Sequence, residues 1–159
     1  MQRKNGTAKI LKIAIDFDGT IVENRYPQIG RPMLFAFETM KLLQNHRHQL
    51  ILWTYREGKE LEEAVEFCRQ HGVEFWAVNK NYPEEVFEPG KTSRKINADI
   101  YIDDRNIGGF LGWTKIWELI SEGDETGNPY AHIQDTEAHW NYPKRKKRKR
   151  NFWQRLFGD

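Results

Sequence analysis

Residues 9–20 of the chain read KILKIAIDFDGT. The segment 9–17 is short and rich in isoleucine, which is typical of a strand buried within a parallel sheet. Asp18, Gly19 and Thr20 form a turn signal that ends this strand. The stretch therefore predicts a central strand that carries two carboxylates, Asp16 and Asp18, at its carboxyl end.

Strand and helix patterns alternate around this segment. Further strands are predicted over 49–53 (QLILW), 73–78 and 98–102 (ADIYI), and helices over 33–45, 57–71 and 113–121. This alternation is typical of a parallel, doubly wound sheet with helices packed on it.

Apolar residues at helical spacing predict the buried faces of the first two helices. In the first helix they are Met33, Phe37, Met40 and Leu43, and the stripe is widened by Leu34, Phe35 and Leu42. In the second helix they are Leu61, Ala64, Val65 and Cys68, with Gly72 as the C-terminal cap. Cys68 is the single cysteine, so an internal disulfide is excluded and a reducing compartment is favoured.

The chain divides by composition into three parts. Residues 1–122 form a predicted catalytic domain, 123–143 an irregular polar segment, and 144–159 a basic tail that ends in aromatic residues and lacks a fixed structure. The chain has no apolar leader at its start and no run long enough to span a membrane. These features predict a cytoplasmic protein, with peripheral membrane contact as an alternative.

The basic tail leaves three interpretations open. Residues 144–159 carry eight Lys and Arg residues and one Asp, whereas the net charge of the whole chain is only +2. The tail is a solvated segment, a contact with anionic lipid, or a contact with nucleic acid through residues 144–157. Apolar side chains after the charges favour lipid over nucleic acid; they are Phe152, Trp153, Leu156 and Phe157.

Four carboxylates follow two of the predicted strands. Asp16 and Asp18 end the first strand, and Asp103 and Asp104 follow strand 98–102. Because ligands of parallel α/β sheets bind beyond the carboxyl ends of the strands, these acids are expected to converge on one small volume. Their mutual repulsion requires a cation, and hard oxygen ligands suit Mg²⁺. The sequence thus predicts a magnesium site formed by Asp16, Asp18, Asp103 and Asp104.

These motifs resemble those of the haloacid dehalogenase superfamily of phosphohydrolases. Asp16-Phe17-Asp18-Gly19-Thr20 resembles the first motif, Thr54 after LILW the second, and Asp103-Asp104 after ADIYI the fourth, in the family's order. The resemblance covers residues 10 to about 120 and implies a Rossmann-like three-layer α/β/α sandwich. The segments between the motifs leave no room for a full cap domain, so an open site is expected, with residues 23–31 as a small flap.

The resemblance also implies roles for individual residues. Asp16 becomes the nucleophile that forms an aspartyl-phosphate, and Asp18 the general acid and then the base. Thr54 and the backbone near Gly19 bind the phosphoryl group, and Asp103 binds the metal with help from Asp104. The third motif is a lysine, and two candidates exist: Lys95, at the short spacing similar to that of deoxyribonucleotidase-like relatives, and Lys91. Loop length favours Lys95.

Two arginines near these motifs have more than one interpretation. Arg56 either binds the phosphate of the substrate or belongs to the cap of the helix that follows it. Arg105, next to the acidic pair, either clamps an anion or forms an ion pair with a neighbouring acid, and the ion pair is favoured. Asn106 is expected to stabilise the loop on the metal side by hydrogen bonding.

The resulting functional expectation is an Mg²⁺-dependent phosphomonoester phosphatase that works through an aspartyl-phosphate on Asp16. The alternative is a non-catalytic module that binds phosphate or metal and is tethered to membrane or nucleic acid by the basic tail. The presence of both Asp16 and Asp18 favours the enzyme, because binding alone does not need both carboxylates. The substrate is a phosphorylated molecule of undetermined size.

Overall fold

The structure, a computed structural model, describes residues 9–122. In chain order its elements are β1 (Lys12–Ile15), α1 (Ala36–Asn45), β2 (Gln49–Leu52), α2 (Gly58–Gln70), β3 (Ala77–Val78), β4 (Ile100–Ile102) and α3 (Trp113–Glu122). The segments 123–143 and 144–159 of the sequence prediction lie outside the described residues. Within residues 9–122, no helix is both long and apolar enough to cross a membrane.

The four strands form one sheet in the order β3-β2-β1-β4, and all neighbouring strands are parallel. The predicted α/β class with a parallel sheet is thereby confirmed. β1 lies in the interior of the sheet, with Ile13 opposite Leu50 of β2 and Ile100 of β4. Its backbone hydrogen bonds are therefore satisfied on both sides, which suits the apolar run KIAI.

All three helices pack on the same face of the sheet. Ile13 and Ile15 of β1 and Leu52 of β2 are fully buried there, against the inner faces of the helices. From the helices, this core receives Phe37, Met40, Leu43, Ala64, Cys68, Ile116 and Ile120. Burial raises the pKa of the Cys68 thiol to about 12, so this cysteine is an inert part of the core.

The opposite face of the sheet is covered by the connection from β3 to β4. Ile51 of β2 and Ala77 of β3 pack there against Ile96, together with partly buried Trp53 and Trp76. The helical layer expected on this side is absent from the described residues, and a connection made largely of turns and bends replaces it. Two prolines in this connection, Pro83 and Pro89, disfavour a helix.

The first helix differs from its prediction at its start. It begins at Ala36 rather than 33, because Phe35 adopts a left-handed conformation with φ 63°. Leu34 and Phe35 therefore precede the helix and are 77% and 50% exposed, while Phe37 is 6% exposed. The buried face of the helix is thus narrower than the apolar stripe of the sequence, because Leu34, Phe35 and Leu42 lie at the surface.

Candidate active site

A cavity of about 670 Å³ lies at the carboxyl edge of the sheet. Residues that follow β1, β2 and β4 meet there, in the place where parallel α/β sheets bind their ligands. The lining residues are Asp16, Asp18, Asn24, Tyr26, Trp53, Thr54, Tyr55, Arg56, Asp103 and Arg105. Within residues 9–122, no separate cap domain covers this cavity.

Three carboxylates form an acidic cluster, which consists of Asp16, Asp103 and Asp104. One carboxylate oxygen from each lies within 4.8 Å of the others, so the cluster can hold a metal ion. Oδ1 of Asp104 is buried and has no hydrogen-bond partner among the described residues. A cation at this position would satisfy that oxygen and offset the repulsion between the three charges. The residues present therefore fit a divalent metal ion.

Asp16 is the member of the cluster with the most perturbed acidity. Burial, and to a lesser degree the charges of Asp103, Asp104 and Asp18, raise the pKa of Asp16 from 3.8 to about 7, against an opposing hydrogen bond from the Phe17 backbone. In the absence of metal, Asp16 thus retains a proton in the folded protein at a pH where it is ionised in the unfolded chain. Folding is therefore coupled to proton uptake at this residue.

This coupling predicts how stability depends on pH. Between pH 5.5 and 7.5, the metal-free folded state binds more protons at Asp16 than the unfolded state, so rising pH favours unfolding by about 1–2 kcal/mol. Mg²⁺ is expected to raise the melting temperature more at pH 7.5 than at pH 5.5, because it binds the ionised carboxylates. Thermal unfolding at the two pH values, with EDTA and with Mg²⁺, measures both effects.

The control is the Asp16→Asn variant. Burial and the nearby His46 lower the pKa of His48, which contributes a slope of opposite sign below pH 6.5. The variant keeps His48 and lacks the titrating carboxyl, so the difference between wild type and variant isolates Asp16. Identical pH dependence in the two proteins would contradict this account of the cluster.

The turn that carries Asp103 and Asp104 is held by several hydrogen bonds. The N–H of Arg105 donates to Oδ1 of Asp103 at 2.7 Å and thereby orients that carboxylate. The Asn106 side chain donates to the carbonyl of Asp103 at 2.9 Å, as the sequence predicts. The N–H of Asp104 donates to the hydroxyl of Thr20 at 3.0 Å, which ties this turn to the one after β1.

Close approach of the two turns requires a glycine at position 19. Its φ is +91°, and a Cβ atom there would collide with the carboxylate of Asp104. Trp113, at the start of α3, is buried and donates from its indole nitrogen to the carbonyl of Thr20 at 2.9 Å. The positions of the acids are thus determined by packing between β1, β4 and α3. The roles of Thr20 and Trp113 are not evident from the sequence.

Asp18 lies beside the acidic cluster but has a different partner. Nε and Nη2 of Arg56 donate to its two carboxylate oxygens, each at 2.7 Å. The side chain of Arg56 is 0% exposed and that of Asp18 is 14% exposed. The predicted metal ligation by the Asp18 side chain is therefore corrected: its carboxylate forms an ion pair with Arg56, and the group of acids that can hold a metal ion contains Asp16, Asp103 and Asp104.

The contacts of Arg56 also differ from its predicted role as a phosphate ligand. Its remaining hydrogen bonds go to the carbonyls of Pro27 and Gln28, both at 2.9 Å. Its guanidinium lies 4.9 Å from the ring centroid of Phe17 and 5.2 Å from that of Tyr26. Since all these partners belong to the protein, Arg56 fixes Asp18 in place and attaches the flap, residues 23–31, to the edge of the cavity.

Thr54 lies at the cavity, as predicted from its place after β2. Its N–H donates to the side-chain oxygen of Asn79 at 2.9 Å, and its hydroxyl oxygen accepts from the N–H of Arg56 at 3.2 Å. The hydroxyl proton therefore remains available to a ligand. Asn79 follows β3 and has φ 50°, a conformation that asparagine tolerates better than most residues. In the sequence, the signal for Asn79 is its position as a polar residue directly after the predicted strand 73–78.

The structure places neither candidate lysine at the cavity. The ammonium of Lys91 pairs with Glu88 at 2.6 Å, and its side chain is 80% exposed. The ammonium of Lys95 lies 5.2 Å from the ring centroid of Tyr101, which packs on Trp53 of the cavity wall. Neither lysine is among the residues that line the cavity.

Arg105 lines the cavity with an exposed side chain. Among residues 9–122, its guanidinium has no ion-pair partner, so the favoured sequence interpretation, a structural ion pair, is wrong for the described part of the chain. An exposed guanidinium beside the acidic cluster can bind an anionic group of a ligand.

The fold and the site define an α/β protein with an all-parallel sheet and an acidic cluster at the carboxyl edge that can hold a metal ion. A solved structure described as that of a conserved protein from Bacteroides thetaiotaomicron is 53% identical to the chain, with a TM-score of 0.68, over 77% of this chain and 99% of that one. The chain belongs to the same family as this Bacteroides protein. No family model and no curated protein matches the chain.

Proposed function

We propose that the chain is a cytoplasmic Mg²⁺-dependent phosphomonoester hydrolase of the haloacid dehalogenase superfamily. The observation that carries the proposal is the convergence of Asp16, Asp103 and Asp104 within 4.8 Å at the carboxyl edge of the sheet. Asp18 and Thr54 line the same cavity, in the positions that the family's motifs assign to acid–base catalysis and phosphate binding. A protein that only bound phosphate would not need the second carboxylate of Asp18.

In the first step, a carboxylate oxygen of Asp16 attacks phosphorus. A bond forms between this oxygen and phosphorus, the bond from phosphorus to the ester oxygen breaks, and the ester oxygen takes a proton from Asp18. The alcohol leaves, and Asp16 carries an acyl phosphate. Bound Mg²⁺ supplies charge neutralisation for the carboxylates and the phosphoryl oxygens.

In the second step, the oxygen of a water molecule attacks phosphorus, and Asp18 accepts a proton from that water molecule. The bond between phosphorus and Asp16 breaks, which releases inorganic phosphate and regenerates the free carboxylate. The ion pair with Arg56 uses one lone pair on each oxygen of Asp18, so a further lone pair on each remains for the proton. Arg56 thereby orients Asp18 without occupying the position that the proton needs.

Two other residues are assigned to phosphate binding. The hydroxyl of Thr54 donates to a phosphoryl oxygen, since its own oxygen already accepts from Arg56. The guanidinium of Arg105 contributes positive charge at the cavity, the role that the sequence predicts for Arg56. Both groups would stabilise the negative charge that the phosphoryl group carries during transfer.

Release of inorganic phosphate from a panel of phosphomonoesters tests the proposal. Wild type is expected to release phosphate with Mg²⁺ and to lose this activity in EDTA. Asp103→Asn should raise the Mg²⁺ concentration needed for half-maximal activity, whereas Glu84→Gln, at an exposed acid outside the cavity, should leave it unchanged. Release that is insensitive to EDTA, or no release from any ester in Mg²⁺, would contradict the proposal.

The matched pair Lys95→Ala and Lys91→Ala tests the third motif. Lys95 contacts the ring of Tyr101, next to the cavity wall, whereas Lys91 pairs with Glu88. Because neither lysine lines the cavity, we expect Lys95→Ala and Lys91→Ala each to change kcat/KM by less than about threefold. Steady-state kinetics of both variants measures the effect; a loss of about tenfold or more in either variant would contradict the placement of that lysine outside the cavity.

A further inference from the structure

Three aromatic side chains line the same cavity as the acidic cluster. They are Tyr26 of the flap, Trp53 directly after β2 and Tyr55 directly after Thr54. Tyr55 is 94% exposed and Tyr26 is 53% exposed. Large rings are usually covered by other groups in a folded protein, so their exposure beside a cavity marks a surface that can receive an apolar ligand group.

Two of the three rings are held in place by neighbours. The guanidinium of Arg56 lies 5.2 Å from the centroid of Tyr26, and Arg56 itself is fully buried. The ring of Trp53 packs on Tyr101 with centroids 5.3 Å apart. These contacts fix the rings before a ligand arrives, which lowers the entropic cost of binding against them.

The lining of the cavity has a polar part and an aromatic part, which suit different parts of a substrate. The carboxylates and Thr54 are suited to the phosphoryl group with its metal ion, as proposed above. The rings of Tyr26, Trp53 and Tyr55 have no role in that chemistry, and they offer contact area for the alcohol part of a substrate. Flat π systems stack on such rings with favourable offset or edge contacts, which aliphatic alcohols cannot form.

We propose that the substrates are phosphomonoesters whose alcohol part carries a flat ring, which packs against Tyr55 with Tyr26 and Trp53 while the phosphate lies at Asp16. This inference rests on the proposed phosphohydrolase function and adds the substrate class to it. A ring bonded directly to the ester oxygen and a ring joined through a sugar share this chemistry. They differ in the distance from the phosphate to the ring.

The test compares kcat/KM for phenyl phosphate, a nucleoside monophosphate and glycerol phosphate in the presence of Mg²⁺. Wild type should favour at least one of the two ring-bearing esters over glycerol phosphate by about tenfold, a discrimination in the range of one aromatic contact. The better ring-bearing ester shows which distance from phosphate to ring the cavity accepts.

Variants at Tyr55 locate the discrimination. Tyr55→Ala should lower kcat/KM about tenfold for the favoured ester, mainly through KM, and leave glycerol phosphate unchanged. Tyr55→Phe, which keeps the ring, should retain the preference. Tyr82→Ala is the matched control, because Tyr82 is 47% exposed and does not line the cavity. Since Tyr55 is almost fully exposed, its replacement should not affect folding.

Three outcomes separate the inference from the function on which it rests. A ring preference that Tyr55→Ala removes supports the inference. Phosphate release without a ring preference, or an equal loss for all esters in Tyr55→Ala, overturns the inference and leaves the phosphohydrolase function in place. Absence of release from every ester overturns both.

Discussion

Asp16→Asn is expected to reduce phosphate release by at least about a thousandfold, because an amide cannot form the covalent intermediate. The substitution preserves the size of the side chain and removes one of the three charges of the acidic cluster. The variant should therefore fold, and without metal it should be at least as stable as wild type near pH 7.5. Initial rates with Mg²⁺, together with thermal unfolding of the same samples, separate lost chemistry from lost structure.

Asp16→Glu is the complementary control for the nucleophile. It retains the charge and the capacity to bind metal, but it displaces the attacking oxygen by one methylene group. Its activity should also fall strongly, because nucleophilic attack requires the oxygen to be aligned with phosphorus. Activity of Asp16→Asn within about tenfold of wild type would exclude covalent catalysis at this residue.

Arg56→Ala is expected to lower the free energy of unfolding by about 3 kcal/mol. It leaves the carboxylate of Asp18 without its partner in a largely buried position, and it deprives the carbonyls of Pro27 and Gln28 of their donor. Urea unfolding of the variant measures this loss. Activity should fall as well, since Asp18 and the flap are no longer held in position.

Arg31→Ala is a matched control for this prediction. Arg31 also forms two hydrogen bonds with one carboxylate, that of Glu23, but its side chain is 82% exposed. Loss of an exposed pair has little effect on stability, because water solvates the carboxylate that remains. Similar changes in the two variants would contradict the view that burial makes the Arg56 pair important.

A double-mutant cycle distinguishes the ion pair from general packing around Arg56. Asp18→Asn in the Arg56→Ala background removes the uncompensated charge. The double variant should therefore lose less stability than the sum of the losses in the two single variants. The conservative variant Arg56→Lys should recover part of the stability, since it keeps the charge but not the two-pronged geometry. Strictly additive losses would mean that Arg56 acts through packing alone.

Much of the architecture follows from local patterns in the sequence. The run KIAI predicts an interior strand, and the acids after β1 and β4 meet because carboxyl ends of parallel strands share one edge. The buried face of α2, formed around Ala64 and Cys68, follows from helical spacing. These features depend on short segments, and the burial of such segments is encoded in their own composition.

Features that depend on tertiary packing could not be predicted from the sequence. Arg56 and Asp18 are 38 positions apart, and nothing in the sequence states that the Arg56 side chain turns inward to meet Asp18 and the flap. The late start of α1 results from the left-handed conformation of Phe35, which helical spacing does not reveal. The connection from β3 to β4 covers one face of the sheet without a helix, so the position of Lys95 depends on its contact with Tyr101 rather than on loop length.

The most direct test of the catalytic proposal is mass spectrometry of the enzyme quenched in acid during turnover with Mg²⁺. We predict that the peptide containing Asp16 carries the added mass of one phosphoryl group, which disappears when EDTA is added before the substrate. Rapid turnover with no phosphoryl group on this peptide at any quench time, or with the group on a different residue, would contradict nucleophilic attack by Asp16.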